Sequence, residues 1–291
     1  MRTATRRPSR SARVVTRCGV TTSLPGIAGV FDRVADTYDD VGVPWFRPIA
    51  RGLVEQLDVR PGDRVLDLGC GRGAATAVLA EAVGPDGDVL GIDLAPRMVE
   101  LTARDLAHLP QVRVAVADVR EPGLPQASRD VVAASLVLFF LPDPVVAVDT
   151  WAGLLVPGGR LGVTTFGPQD PRWQQVDELF TPWLPQQMLD ARASGRRGPF
   201  ASDAGVEDLF RRAGLVDVRT VHLPVQAVMR DAEHLLLWTT SHGQRAMWEA
   251  VPESEHEALR DRVREMVVRV GEPDGGVRFD QDVRITLGVQ D

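Results

Sequence analysis

The chain has no lysine, so all 33 of its basic residues are arginine, a bias that reads as high-GC genome composition and points to an actinobacterial source. It has two cysteines, Cys18 and Cys70, too far apart for a disulfide framework or a zinc site, and a reducing cytoplasm is the expected compartment. It has no apolar run of membrane-spanning length: the longest candidate, Val131 to Leu141, is the size of a buried strand. Carboxylates and histidines show no metal-ligand spacing, so no metal is expected. What the chain does have is 291 residues with 44% hydrophobic content, enough for a substantial core.

Charge is placed unevenly. Residues 1–30 carry Arg2, Arg6, Arg7, Arg10, Arg13 and Arg17 and no acid, which leaves 27 basic and 40 acidic residues in the rest, a balance of -13. An acidic body disfavours nucleic acid as a partner. Residues 1–30 are read as a disordered tail and 31–291 as one domain, monomeric or homodimeric, with no membrane partner.

From Asp63 onward, strand and helix patterns alternate with short connections. Strands are expected at Arg64–Gly69, Val89–Asp93, Val112–Asp118, Val131–Phe140 and Arg160–Phe166, with helices at Gly73–Val83, from Pro96, and at 145–155. Near-continuous runs of Val, Leu and Ala are what a sheet covered on both faces requires. The expected class is therefore α/β, a doubly wound, Rossmann-like, mostly parallel sheet. After Phe166 the pattern breaks into insertions at 167–200 and 231–270, with strands at Leu215–Met229 and Val283–Val289. Ser202 or Asp203 is read as capping a helix to Ala213, and Ser254 with Glu257 as a capping box for a later one.

The stretch Arg64 to Gly73, RVLDLGCGRG, leads from a strand into Gly69, Gly71 and Gly73. Gly69, Gly71 and Ala74 satisfy the loose dinucleotide fingerprint, with Asp93 where a ribose-binding acid belongs, but Asp67 at the strand tip would repel a pyrophosphate. An acid there favours an ammonium, faced directly or through water. S-adenosylmethionine has that polarity: an amino-acid head, a sulfonium carrying the reactive methyl, a ribose and an adenine, without phosphate. Cys70 is read as a small filler within the loop.

These residues resemble the class I S-adenosylmethionine-dependent methyltransferases. VLDLGCGRG looks like their first motif, GIDLAP (Gly91 to Pro96) their second, VAVADV (Val114 to Val119) their third, and LLVPGGRLGV (Leu154 to Val163) the turn into their fifth strand. The resemblance implies seven strands with an antiparallel C-terminal strand. It also implies Asp93 on the ribose hydroxyls, Leu94 and Met98 on the adenine face, Asp118 and Val119 at the adenine edge, and Ser135 to Leu138 beneath the methionine.

FDRVADTYDD, Phe31 to Asp40, is similar to the amino-terminal segment of ubiquinone- and menaquinone-type and natural-product methyltransferases, which places cap helices at 31–60. It also brings Tyr38, the chain's single tyrosine, toward the transferred methyl. The alternative is that Tyr38 only packs, with its hydroxyl bonded to backbone. His234, Trp238 and His242 fall on one face if a helix from Asp231 runs that far, so His242 and His234 are the candidate bases, ahead of His222. Trp173, Trp183, Phe200, Trp238 and Trp248 in the insertions point to a hydrophobic, aromatic small-molecule acceptor, as in natural-product biosynthesis. Two other readings stand beside methyl transfer: a cyclase-like or regulatory protein that binds the cofactor without transferring its methyl, and an NAD-dependent oxidoreductase.

Overall fold

Burial on both faces decides the architecture. The computed structural model describes residues 26–186, 188, 189, 197–273 and 275–291. Its strands are β1 (Arg64–Leu68), β2 (Asp88–Asp93), β3 (Val112–Val116), β4 (Arg129–Ser135), β5 (Leu155–Gln169), β6 (Leu215–Met229) and β7 (Val277–Gln290). They form one sheet in the order β3-β2-β1-β4-β5-β7-β6. The first five pair in parallel, and β7 is antiparallel to both β5 and β6, as the resemblance implies.

The helices are α1 (Ile27–Val34), α2 (Phe46–Gln56), α3 (Ala74–Val83), α4 (Pro96–Asp105), α5 (Pro144–Ala152), α6 (Pro171–Glu178), α7 (Asp203–Arg212), α8 (Ala232–Ser241), α9 (Arg245–Ala250) and α10 (His256–Val270). Successive residues of β1 serve opposite layers: Val65 packs with Leu53, Leu79 and Val83 of α2 and α3, whereas Leu66 and Leu68 pack with Trp151 of α5 and Phe210 of α7. A third apolar cluster joins α6, α8, α9 and α10 to the far ends of β6 and β7, around Trp238, Phe180 and Phe279.

Several boundaries differ from the expected ones. β4 ends at Ser135, where its pairing with β5 stops at Thr164, and not at Phe140. Leu136 then turns into the left-handed region at φ 59°, and Leu138–Phe140 form a single 3-10 turn. In that turn Phe139 and Phe140 line a cavity while Leu138 is buried in the core, so the run is apolar without continuing the sheet. β3 stops at Val116, short of Asp118, while β5 and β7 extend well beyond the expected segments and carry the antiparallel edge. Ser202 caps α7 by accepting the Gly205 N–H, as anticipated. The capping box of Ser254 and Glu257 does not form: a 3-10 turn, Glu253–Glu255, occupies that position and α10 starts without a side-chain cap. The Arg-rich tail up to residue 25, including Cys18, lies outside the described residues.

Candidate active site

The strand order reverses at β1, with β2 and β3 on one side and β4 and β5 on the other, so the loops following β1 and β4 meet over a crevice. Gly69 comes so close to the second loop that a Cβ on it would lie 2.4 Å from Val137 Cγ2, and its φ of +67° is itself a glycine conformation. A Cβ on Gly71 would meet nothing within 4 Å. Gly71 lines the cavity, so backbone alone forms that wall. The cavity is open and holds about 1000 Å³.

At one end lie Gly69, Gly71, Asp93, Leu94, Met98, Asp118, Val119 and Ser135. Asp93 is held by the loop it serves: Oδ2 accepts the Gly71 N–H at 2.8 Å and Oδ1 the Ala95 N–H at 2.9 Å. Burial raises its carboxyl pKa, opposed by the N–H groups of Ala95, Gly71 and Leu94. Asp118 faces Arg120, whose guanidinium holds it below the usual carboxylate range. Ser135 Oγ is 3.3 Å from Thr164 Oγ1 at the tip of β4.

Three of the expected cofactor residues do not line the cavity. Asp67 lies two residues beyond Val65 and so points to the same face of the sheet, toward α3, where Thr76 Oγ1 donates to it at 2.6 Å. The carboxylate is buried beneath the loop, and that burial lifts its pKa to about 7. Strand alternation thus turns the Asp67 side chain inward, away from direct contact with the cavity. Cys70 is buried against Gly91, where an added Cβ would sit 3.1 Å from its own Cβ. Burial, reinforced by Asp93 and Asp67, pushes its thiol pKa well up. Gly73 packs at the start of α3 on Thr102, to which a Cβ would come within 2.8 Å.

The other end of the cavity is aromatic. Tyr38 stacks on Phe46, with ring centroids 4.5 Å apart, and meets Phe31 edge-on at 6.0 Å. Among the described residues nothing is hydrogen-bonded to its hydroxyl, so the expected alternative of a backbone partner does not hold. Burial, then Asp39 and Asp93, keep the phenol protonated well above its ordinary range. α1 is tied down across this region: Arg97 reaches Asp36 at 2.6 Å, and its N–H reaches Asp32 at 2.8 Å. Arg72 in the glycine loop donates to the Ala35 carbonyl, and Arg33 pairs with Glu249 of α9.

Of the histidines, His242 lines the cavity and His234 does not. α8 ends at Ser241, one residue before His242, which is extended at φ -141°, so the continuous helical face does not reach it. Both nitrogens of His234 serve backbone: Nδ1 accepts the Arg230 N–H, and Nε2 donates to the Val41 carbonyl at 2.7 Å. That leaves it no nitrogen for a substrate. His222 is clamped on the outer sheet between Asp203 and Asp282, which raise its pKa. The His242 ring packs against Trp238 and, edge-on, Phe46, and burial pushes its pKa down to about 4.

The insertion aromatics also divide. Trp173 lines the cavity, whereas Trp238, Trp248 and Phe200 are core, and Trp183 packs beside them. The cavity draws its aromatic wall instead from Phe31, Phe46, Phe139, Phe140 and Phe166. Nothing in the sequence set Phe139 and Phe140 apart from a buried strand, since the run from Val131 to Leu141 is of buried-strand length. No sequence signal marked Gln169, Asp177, Gln244 and Gln281, which also line the cavity. Among the described residues no three or more His, Cys, Asp or Glu side chains are placed to hold a metal ion, and no helix is long and apolar enough to cross a membrane.

Known proteins share this family and fold. The profile of the methyltransferase domain matches residues 66–163. The chain is 39% identical over 244 residues to nocamycin O-methyltransferase of Saccharothrix syringae, covering 79% of this chain and 86% of that one. It is 39% identical over 166 residues to aklanonic acid methyltransferase DauC of Streptomyces sp. strain C5, covering 56% and 76%. Among solved structures, YcgJ of Bacillus subtilis superposes with a TM-score of 0.54 at 18% identity, over 83% of this chain and 97% of that one. Phosphoethanolamine N-methyltransferase 2 of Haemonchus contortus, in complex with S-adenosyl-L-methionine, gives 0.53 at 14% identity, over 91% and 57%. These two likenesses concern the fold.

The chain belongs to the S-adenosylmethionine-dependent methyltransferases. Its donor is S-adenosylmethionine, and the cavity fits that molecule: side-chain-free walls at Gly69 and Gly71, a carboxylate at Asp93 and apolar surface on Leu94 and Met98.

Proposed function

We propose that this enzyme methylates an oxygen of a hydrophobic, ring-bearing small metabolite of the natural-product type. The observation that carries the reading is the continuity of a single cavity from the Asp93 end to an aromatic end walled by Tyr38, Phe46, Phe139, Phe166 and Trp173. The names of relatives support it, one being a nocamycin O-methyltransferase and another acting on aklanonic acid.

Asp93 would take the ribose hydroxyls, Leu94 and Met98 the adenine face, Asp118 and Val119 the adenine edge, and Gly69, Gly71 and Ser135 the methionine portion. The bound donor supplies an electrophilic methyl on a sulfonium. An acceptor oxygen held in line would take that methyl, the S–C electron pair staying on sulfur and the acceptor's proton passing to solvent. The chain's contribution is alignment: aromatic walls fix the acceptor's plane, and Tyr38 offers a neutral hydroxyl as hydrogen-bond donor. His242, neutral and weakly basic, is a poor proton acceptor, which favours an acceptor oxygen that is acidic in its own right.

The test pairs binding with product. S-adenosylhomocysteine should bind the purified protein, and Asp93→Ala should weaken it by about 1–3 kcal/mol through lost hydrogen bonds. Cells lacking the protein should accumulate a metabolite lighter by one CH2, which the protein and labelled S-adenosylmethionine convert with one S-adenosylhomocysteine formed per product. Cofactor binding with no methylated product would instead favour the cyclase-like or regulatory reading.

A further inference from the structure

Gln281 is a polar side chain in the aromatic part of the cavity, with a fixed orientation and incomplete hydrogen bonding. The alternation of β7 turns it to the same face as Phe279 and Val283, which belong to the apolar cluster around Trp238. Trp173, a cavity wall, stacks on Phe279 with ring centroids 5.7 Å apart. The amide nitrogen of Gln281 is committed to backbone: Nε2 donates to the carbonyls of Asp282 at 2.7 Å, Pro168 at 3.1 Å and Gly167 at 3.3 Å. Carbonyls only accept, so exchanging the amide's nitrogen and oxygen would set oxygen against oxygen, and the partners decide the orientation.

Oε1 is left over. Among the described residues it accepts no hydrogen bond, yet it keeps accessible surface, unlike the unpaired Gln244 Oε1 and His242 Nδ1, which are enclosed. Gln281 as a whole is 4% exposed, and that surface opens on the main cavity, not on the shallow neighbouring pocket bounded by Pro168, Asp280 and Asp282. A fixed amide oxygen facing the cavity is satisfied by whatever donor enters, water or ligand.

Its place along the sheet says which part of a ligand it meets. Ser135, at the donor end, pairs with Thr164 of β5, whereas Gln281 pairs with Gln169 farther along the same strand. Thr164 and Gln169 are five residues apart, up to about 16 Å of extended chain. A group that reaches Gln281 is therefore remote from the one that takes the methyl.

We propose that Gln281 Oε1 is a distal specificity subsite, which accepts a hydrogen bond from a hydroxyl or N–H of the acceptor molecule far from the oxygen that is methylated. The substrate class it fits is a flat, multi-ring molecule with polar hydrogens at both ends. The carbonyls of Gly167, Pro168 and Asp282 position the amide, and Phe166 and Trp173 flank the rings. An acceptor without the distal donor leaves Oε1 unpaired and binds more weakly, so the unsatisfied protein atom does the rejecting. The proposal rests on the methyl-transfer reading for the identity of the donor end. Its test requires no turnover.

The probes are 2-naphthol and 2-methoxynaphthalene, which share a ring system and differ in the O–H. Each is titrated calorimetrically into full-length protein saturated with S-adenosylhomocysteine. Wild type should favour 2-naphthol by about tenfold, the value of one buried hydrogen bond. A crystal structure of that complex should place the naphthol oxygen about 3 Å from Gln281 Oε1. In Gln281→Met the preference should shrink to about twofold or less through loss of 2-naphthol affinity, with S-adenosylhomocysteine affinity unchanged. Equal affinities in wild type, no binding of either probe, a naphthol oxygen seated elsewhere, or a preference that survives Gln281→Met would each overturn the subsite and leave Oε1 to water. The wild-type titration and the crystal structure decide the matter even where the variant fails to fold. Failure of S-adenosylhomocysteine to bind wild type would instead strike the methyltransferase reading itself.

Discussion

Thr76 Oγ1 donates a 2.6 Å hydrogen bond to Asp67 Oδ2 beneath the glycine loop, joining the first turn of α3 to the tip of β1. The acid that first pointed to a cationic ligand is thus a strut, walled off from the cavity by the loop above it. An ammonium in the cavity would meet it through its field or through water.

That field is titratable. Burial lifts the Asp67 pKa to about 7, well above the ordinary carboxylate value. The folded state therefore holds a proton that the unfolded chain has released, and stability from this group is complete below the unfolded value and lost as pH rises through about 7. A shift of this size corresponds to at most about 4 kcal/mol. Denaturant unfolding without cofactor should show stability falling between about pH 4 and 7, and Asp67→Asn should flatten that decline. An unaltered slope in the variant would remove Asp67 as its source.

His242 has the opposite sign. Burial depresses its pKa from 6.5 to about 4, so the unfolded chain binds the proton more readily, and stability from this group is present above 6.5 and lost as pH falls through about 4. His242→Phe should be less sensitive to acid than wild type over that interval, by up to about 3 kcal/mol. A histidine proton resonance that titrates near neutrality and vanishes in the variant would contradict this.

Tyr38 carries a hydroxyl without a partner among the described residues on a ring held by Phe46 and Phe31. Tyr38→Phe should leave thermal stability within about 0.5 kcal/mol and S-adenosylhomocysteine binding unchanged. Turnover should fall about tenfold if the hydroxyl orients the reacting groups. Equal kcat values would leave the ring with a packing role only.

The approach of Gly69 to Val137 predicts a steric penalty. Gly69→Ala places a Cβ 2.4 Å from Val137 Cγ2 at a φ of +67°, and should cost about 2–3 kcal/mol of stability. Adding Val137→Ala should recover the part due to the clash and leave the part due to backbone strain. No recovery would mean that strain accounts for the whole loss.

The alternation of strand and helix up to Phe166 and the glycine loop were legible in the sequence, because each depends on local pattern, whereas the roles expected for Asp93, Leu94, Met98 and Asp118 came from the resemblance to a family. Runs of Val and Leu report burial on two faces, and a loop that must approach another backbone closely has to be glycine. The inward turn of Asp67 was also encoded in the two-residue period of β1, since it shares a face with Val65, but its significance depended on knowing that α3 covers that face.

The acceptor end was not legible, because its residues come from segments with no shared period. Phe139 follows a strand, Phe46 opens a helix, and Gln169, Asp177, Gln244 and Gln281 are far apart along the chain yet line one cavity. Trp238 and Trp173 look alike in sequence, and only packing sends the first into the core and the second to the cavity wall. Sequence alone determined the donor half of this enzyme, since short loops at consecutive strand ends build it. Tertiary structure decided the acceptor half, because long-range packing of the insertions selects which side chains are buried together and which face the open space.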